Sequence, residues 1–382
     1  MRFFEFYQSK IVPLMEDARI QHAEDIVFWE GSEGAIRAIE ALKNLEKGGH
    51  TDVTIKWDGS PAIVFGRNEN GQFVLTDKSG FTAKGYDGRS TSPKDLEKML
   101  LNRKLSKGEE PTDSFRQFAG NMRDIFDEYE KATPKDHIGY FKGDLLYYNT
   151  PLLSQGTFSF KPNVVTYHVD ARSPLGVQIA KSKSAVVIHN EIDLDGKDKK
   201  LSIDPSNFFI GTEVLVVPPV TVQEAPDVDD TEIKNLQSIV AKNRFALDNL
   251  LNKQSLAELK LSDFPKILYA YLNSKVDTGL ESLGKDFLQW LTGSKVSGPK
   301  KVKIAEYIGN HQQAFDSLWQ IVTGIQTVKD DIISQLENQK APVTATINDT
   351  KGGEGFVLAH PDGAIKLVNR SGFTAANRSI ER

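Results

Sequence analysis

The sequence predicts an α+β protein in which a β-rich unit is interrupted by a helical domain and resumes near the end of the chain. Three observations predict it. Apolar and polar residues alternate over 51–83, 137–148, 161–170 and 184–194, the period of half-buried strands. From 231 to 339 the apolar period lengthens to i, i+3, i+4 almost without a break. Alternation then returns in APVTATIND and EGFVLAHPDGAIKLVNRSGF.

Taken in order, residues 1–50 read as a helical segment packing on the core, with AIRAIEALKNLEK carrying the apolar stripe and Gly48-Gly49 ending it. TDVTIKW and PAIVFG follow, separated by Asp58-Gly59. Taken locally they predict a hairpin, because Asp-Gly is a strong two-residue turn signal. A second turn at Asn68–Gly71 leads into a further strand, QFVLTDKSGF. Residues 93–132 return to a helical pattern with a basic stripe of Lys94, Lys98, Arg103, Lys104 and Lys107, more in keeping with a solvated face than with a nucleic-acid contact. VPPVTVQEAPDVDD (217–230), rich in proline and acid, reads as a linker. Within the helical stretch, GSKVSGPKKVK (293–303) reads as a basic loop. The expected divisions are therefore 1–50, 51–216, a linker and inserted helical domain over 217–340, and final strands over 341–382.

Composition narrows the function classes. There is no cysteine, which removes disulfides, thiolate metal sites and cysteine nucleophiles and suits a reducing cytoplasm. No stretch approaches the ~20 apolar residues of a membrane span, so no membrane is expected. The start, MRFFEFYQSKIVPLMED, lacks the small-residue cleavage site of a signal peptide. A net charge of −5 argues against a surface coated for duplex binding, although not against a local basic groove. The seven histidines show neither HExxH nor paired zinc spacing, so no transition metal is expected on protein ligands.

Five short stretches carry the chemistry: Lys56-Trp57-Asp58-Gly59, Phe141-Lys142-Gly143-Asp144, Val165-Thr166-Tyr167-His168, Glu354-Gly355-Phe356-Val357 and Ile365-Lys366-Leu367. In this order they resemble the covalent nucleotidyltransferase superfamily of ATP-dependent polynucleotide ligases and capping enzymes. That superfamily carries a KxDG nucleophile motif, a Gly-acid strand, an aromatic strand, an EGxV strand and a last lysine strand. Each tag alone is weak; five in order on expected strands are much stronger. The resemblance covers about 51–83, 139–169 and 350–373. It implies an antiparallel nucleotidyltransferase core, an ATP-grasp-like ligase adenylation fold, interrupted by the helical domain.

The chemistry explains the residue types. A lysine amine has a pKa near ~10.4 in water, so attack on the α-phosphorus of ATP needs neighbouring positive charge, a metal or desolvation. The resemblance implies that Lys56 is the nucleophile and that Lys366 supplies positive charge beside it. Mg²⁺ (or Mn²⁺) would be held by Glu354 first and Asp144 second, since it takes carboxylate oxygens together with phosphate and water. Asp58 would flank the nucleophile, and Gly59 would let backbone approach the nucleotide. Tyr167 would stack on adenine; read from the strand alone it is equally a core residue. Arg67 and Lys78 would lie near phosphate or ribose, with exposed hairpin charges the even alternative. For Asp144 the plainer alternative is capping a strand, with the motif favouring the functional role. His22, Glu24 and Asp25 form an acid-histidine cluster that reads by default as an acidic helix start.

Several features resemble the RNA-ligase branch, the bacteriophage kind above all: Ser60 after Asp-Gly, and Lys78-Ser79-Gly80 downstream. After the last lysine motif only NRSGFTAANRSIER follows, so no C-terminal OB domain is expected. One departure is that the usual Lys-x-Lys reads Lys366-Leu367-Val368, with Arg370 the nearest further cation on the same strand face. The expectation is thus an ATP-dependent RNA ligase that adenylates Lys56, passes AMP to a 5′-phosphate and seals it to a 3′-hydroxyl. RNA is favoured over DNA as the partner, with the basic stretches as backbone contacts and residues 231–339 free for RNA or a protein. The alternatives are a DNA ligase, a GTP-dependent capping-type enzyme, or a degenerate member that binds nucleotide or RNA without turnover. The expected location is cytoplasmic, in the host if phage-encoded.

Overall fold

The computed structural model describes residues 21–47, 53–199, 201, 205–218, 220, 222, 224–276, 283–339, 342–347, 350–353, 355–358 and 364–370. The architecture is α+β with several antiparallel sheets, in two compact units. One gathers Met1–Lys56, Thr221–Ala341 and Glu354–Arg382; the other gathers Trp57–Val220 and Pro342–Gly353.

In the first unit the helix Ile26–Lys43 packs with Asp230–Leu250, Phe264–Ser274 and Gln312–Asn338 around one apolar core that includes Phe28, Leu42, Leu236, Tyr271, Phe315 and Ile325. Against it lies a four-stranded sheet in the order Gln21–His22, Ile365–Leu367, Phe356–Leu358, Val53–Ile55. The first pair is parallel and the other two are antiparallel. Val53, Phe356, Leu358, Ile365 and Leu367 join the helical core. Side chains alternate along a strand, so Thr54, Val357 and Lys366 occupy the opposite face.

The second unit holds two sheets. The larger runs Asp198–Lys199, Ser184–Ile192, Gly139–Tyr147, Ala62–Arg67, Phe73–Asp77, with Val214–Val216 added parallel to Ser184–Ile192. One face is covered by the helices Pro93–Leu105 and Asp113–Ala132, where Ile63, Phe65, Leu75, Phe141 and Leu145 meet Leu96, Met122, Phe126 and Tyr129. Both helices start on side-chain caps that satisfy otherwise unpaired amides: Ser92 accepts from the Asp95 N–H with Pro93 next in chain, and Thr112 accepts from the Phe115 N–H. The smaller sheet runs Thr350–Lys351, Val343–Ile347, Val165–Asp170, Thr157–Phe160, Leu153–Ser154.

Four sequence expectations change here. The strands flanking Asp58-Gly59 do not pair: Val53–Ile55 pairs with Phe356–Leu358, while Ala62–Arg67 pairs with Phe73–Asp77 and Gly139–Tyr147. KWDG is therefore not a hairpin turn, and the hairpin lies one strand later, at Asn68–Gly71. Lys78–Phe81 is a helical turn instead of the end of a strand, because the Asp77 side chain accepts from the Gly80 N–H at 2.9 Å. The basic loop is half helix, with Gly298–Asn310 beginning at its Gly-Pro step. Finally, the helices of 221–341 share a unit and a core with the N-terminal helix and the last two strands; they do not stand apart as an insert. Among the described residues no helix is long and apolar enough to cross a membrane.

Candidate functional site

In the first unit the chain leaves the strand Val53–Ile55 at Lys56, whose amide donates to the Gly355 carbonyl at 2.9 Å. Lys56 thus continues the ladder one step and, by alternation, shares the face of Thr54. Gly355 stands opposite it at φ +100°, and a Cβ there would meet the Leu367 carbonyl oxygen at 2.2 Å. Only glycine lets the neighbouring strands close at this point. Across the sheet Thr54 pairs with Val357, Val357 with Lys366, and Lys366 with His22. Lys56 and Lys366 therefore stand on the same face, the one turned away from the helical core, and both are half-buried. Burial keeps the His22 imidazole well below its usual pKa; Arg370, Lys329 and Lys366 act in the same direction, against the pull of Glu24.

In the second unit the next residues are placed by aromatic packing. The Trp57 ring lies 4.7 Å from Tyr167 and 6.3 Å from Phe160. The Asp58 amide donates to the Tyr167 hydroxyl at 2.7 Å, and the Asp58 carboxylate accepts from the Asn163 side-chain amide. Gly59 runs against the strand Gly139–Tyr147: a Cβ there would sit 2.4 Å from the Leu145 carbonyl oxygen. The Ser60 amide donates to that same oxygen at 2.9 Å. Asp144 lies opposite Ala62 and bonds the His189 Nε2 at 2.9 Å. Phe141 and Leu145 face the helices, so Lys142 and Asp144 take the other face of this sheet. A half-buried carboxylate is the hard oxygen donor that Mg²⁺ accepts, so Asp144 fits that role chemically. Among the described residues no group of three or more histidine or acidic side chains gathers as a metal cage. Glu354, the other expected ligand, lies outside the described residues.

Two expected roles are corrected. Arg67 is 6% exposed, and its guanidinium donates to the carbonyls of Gly71, Glu130, Thr133 and Pro134. It closes the C-terminal end of the helix Asp113–Ala132, where carbonyls lack helical partners, and is committed to that end instead of to a phosphate. Tyr167 is fully buried, with Trp57 and Phe160 against its ring, so it is a core residue and not an adenine shelf. Lys78 is exposed at the start of its helical turn; Asp77 before it pairs with Ile63, next to the Ala62–Asp144 step.

The basic stretches are partly committed as well. Arg103 holds Asp77 with two bonds, Lys104 pairs with Glu109, Lys300 pairs with Asp263, and Lys301 donates to the Thr292 and Ser294 carbonyls. Arg370, the expected second cation of the lysine strand, is 3% exposed and bound to Glu24 and Asp25. His189 escaped the sequence reading because its link to Asp144 depends on strand pairing, for which the chain carries no local signal.

Residues 17–91 and 97–382 match the model of DUF6267, described as a family of unknown function. The chain belongs to DUF6267. No curated protein and no solved structure matches it. For this DUF6267 member the reading of function therefore rests on its own residues and their geometry.

Proposed function

We propose that this DUF6267 chain is an ATP-dependent nucleotidyltransferase of the RNA-ligase type, with Lys56 as nucleophile. The observation that carries the reading is the shared sheet face of Lys56 and Lys366, two lysines far apart in sequence, one just past the end of the strand Val53–Ile55 and the other on Ile365–Leu367. The loss of the hairpin explanation for KWDG supports it, since Asp58-Gly59 is not needed there as a two-residue turn.

In this reading the Lys56 amine, having lost a proton to solvent, attacks the α-phosphorus of ATP. A nitrogen–phosphorus bond forms, the bond from that phosphorus to the bridging oxygen breaks, and pyrophosphate leaves with the electron pair. Lys366 stabilises the negative charge that develops on the phosphoryl oxygens. Asp144 is the described residue that would hold Mg²⁺, which supplies charge neutralisation and orientation of the phosphates when bound. His189 fixes the Asp144 carboxylate through its 2.9 Å bond. The AMP then passes to a 5′-phosphate end, and a 3′-hydroxyl displaces it.

Incubation with α-³²P-ATP or α-³²P-GTP and Mg²⁺, followed by a denaturing gel, tests this with Lys56→Ala alongside. Label from ATP on the wild type only supports the reading, and RNA and DNA ends then separate the acceptors. Label from GTP moves the chain to capping-type chemistry. Absence of label from either overturns the reading.

A second reading, a member that binds nucleotide or RNA without turnover, draws on one observation. Val368 replaces the second lysine of the motif, and Arg370 is bound in a buried ionic network.

A further inference from the structure

The first unit contains four buried charges that the proposed reaction does not use. Lys329 donates to both oxygens of Glu24 at 2.8 and 2.9 Å. Arg370 donates through Nε to Glu24 at 3.1 Å and through Nη2 to Asp25 at 2.6 Å. Its third branch, Nη1, reaches the Asn273 side-chain oxygen at 2.5 Å. None of the four charged side chains is more than 3% exposed, and the two positive charges balance the two negative ones.

The position of this network within the sheet gives it meaning. Lys366 lies on a strand of three residues, flanked on one side by a strand of two. Such short pairings hold few ladder bonds and do not by themselves fix a strand firmly. His22 stands opposite Lys366 in the register; Glu24 and Asp25 follow His22 closely, and Arg370 follows Lys366 on the same chain. The guanidinium therefore ties the chain just after Lys366 to the chain just after its neighbouring strand. Lys329 anchors the same Glu24 carboxylate to the long helix Gln312–Asn338.

Stability alone is a poor reason for such a network. Well-packed apolar residues in place of a buried ion pair are often as stabilising or more so. What a forked guanidinium adds is direction, since its donors meet two carboxylates in one fixed geometry.

We infer that Arg370, Glu24, Asp25 and Lys329 are positioning residues for Lys366, holding its strand so that the ammonium meets the reacting phosphate. The inference rests on the nucleotidyltransferase reading and deepens it. It also links the helical region to the reaction, because Lys329 and Asn273 belong to helices whose packing then bears on the chemistry at the sheet.

The test uses the full chain in three forms: wild type, Arg370→Lys, and the double variant Lys329→Met with Glu24→Gln. Arg370→Lys keeps the charge but loses the fork. The double variant removes one charge of each sign, and serves if Arg370→Lys fails to fold. Single-turnover labelling from α-³²P-ATP is followed at varied ATP, and hydrogen exchange of the 365–367 amides is read on the same samples. The expected result is a rate constant at saturating ATP lowered about tenfold or more. The ATP half-saturation is unmoved, and exchange at 365–367 is faster. A merely structural role lowers the amount of labelled protein in step with the folded fraction and leaves the rate constant alone. A wild-type rate constant in the folded variants, whatever their exchange, overturns this inference alone. Failure of the wild type to take label overturns the nucleotidyltransferase reading, and this inference with it.

Discussion

The backbone amide of Asp58 donates a 2.7 Å hydrogen bond to the phenolic oxygen of Tyr167. The ring behind that oxygen is fully buried against Trp57 and Phe160, so the tyrosine acts as a post that holds the chain just past Lys56. Tyr167→Phe keeps the ring and removes the acceptor. The expected cost is about 1 kcal/mol of unfolding free energy, read by urea denaturation. An adenine-stacking role predicts no such loss, because phenylalanine stacks equally well.

Arg67 separates stability from nucleotide binding. Its guanidinium serves three carbonyls at the end of one helix and that of Gly71 in the hairpin turn, and truncation leaves acceptors without a donor. Arg67→Ala is expected to cost about 3 kcal/mol in stability. The ATP dependence of labelling in the folded fraction should match the wild type. A weaker ATP dependence at unchanged stability restores the phosphate contact expected from sequence.

Gly59 is held by a close approach to a strand. A methyl group there sits 2.4 Å from the Leu145 carbonyl oxygen and 2.9 Å from the Asp144 Cβ. A strand carbonyl has little room to yield, so Gly59→Ala should cost about 1–3 kcal/mol. In the proposed reaction it should also slow labelling per folded molecule, because strain at Gly59 falls on the chain three residues after Lys56. Thermal unfolding and single-turnover labelling on one preparation measure both effects, and wild-type values for each refute the close approach.

Glu24 and Asp25 respond to pH with opposite signs. Burial works to raise the Glu24 carboxyl, but Lys329 and Arg370 outweigh it and hold the group well below its usual range. A depressed carboxyl contributes stability that is present above its ordinary 4.5 and lost as pH falls below it. At Asp25 burial prevails over the attraction of Arg370, with the Glu24 charge assisting, and the group is pushed up to about 6. A raised carboxyl binds its proton more readily in the folded chain, so its share of stability grows as pH falls from about 6 towards 3.8. Asp330, raised to about 6 chiefly by burial, adds to the same limb. Thermal unfolding as a function of pH should show Asp25→Asn reducing the rise below about pH 6 while sparing the fall below 4.5. An unchanged rise in that variant refutes the assignment.

Much of the local structure was legible in the sequence. The turn at Asn68–Gly71 closes on itself where the sequence placed it, and the helical period over 93–132 became the two helices Pro93–Leu105 and Asp113–Ala132. The alternation in Val165–Asp170 correctly divided its residues between two faces, yet it gave Tyr167 to the core or to a nucleotide with equal ease. Packing by Trp57 and Phe160 decided between them. Arg67 and Arg370 read as available cations, because a charged side chain in sequence carries no sign of the carbonyls or carboxylates that will enclose it.

What the sequence determined by itself was the local set: the period of each segment, the helix starts, and which side chains share a strand face. These depend on neighbours within a few residues. Tertiary structure alone decided that Ile55 pairs with Phe356 instead of closing a hairpin through Asp58-Gly59, that Lys56 and Lys366 stand on one sheet face, and that Arg370 is enclosed by acids. Strand ladders join backbone groups without regard to distance along the chain, and burying a charge costs free energy that only a partner already standing beside it offsets.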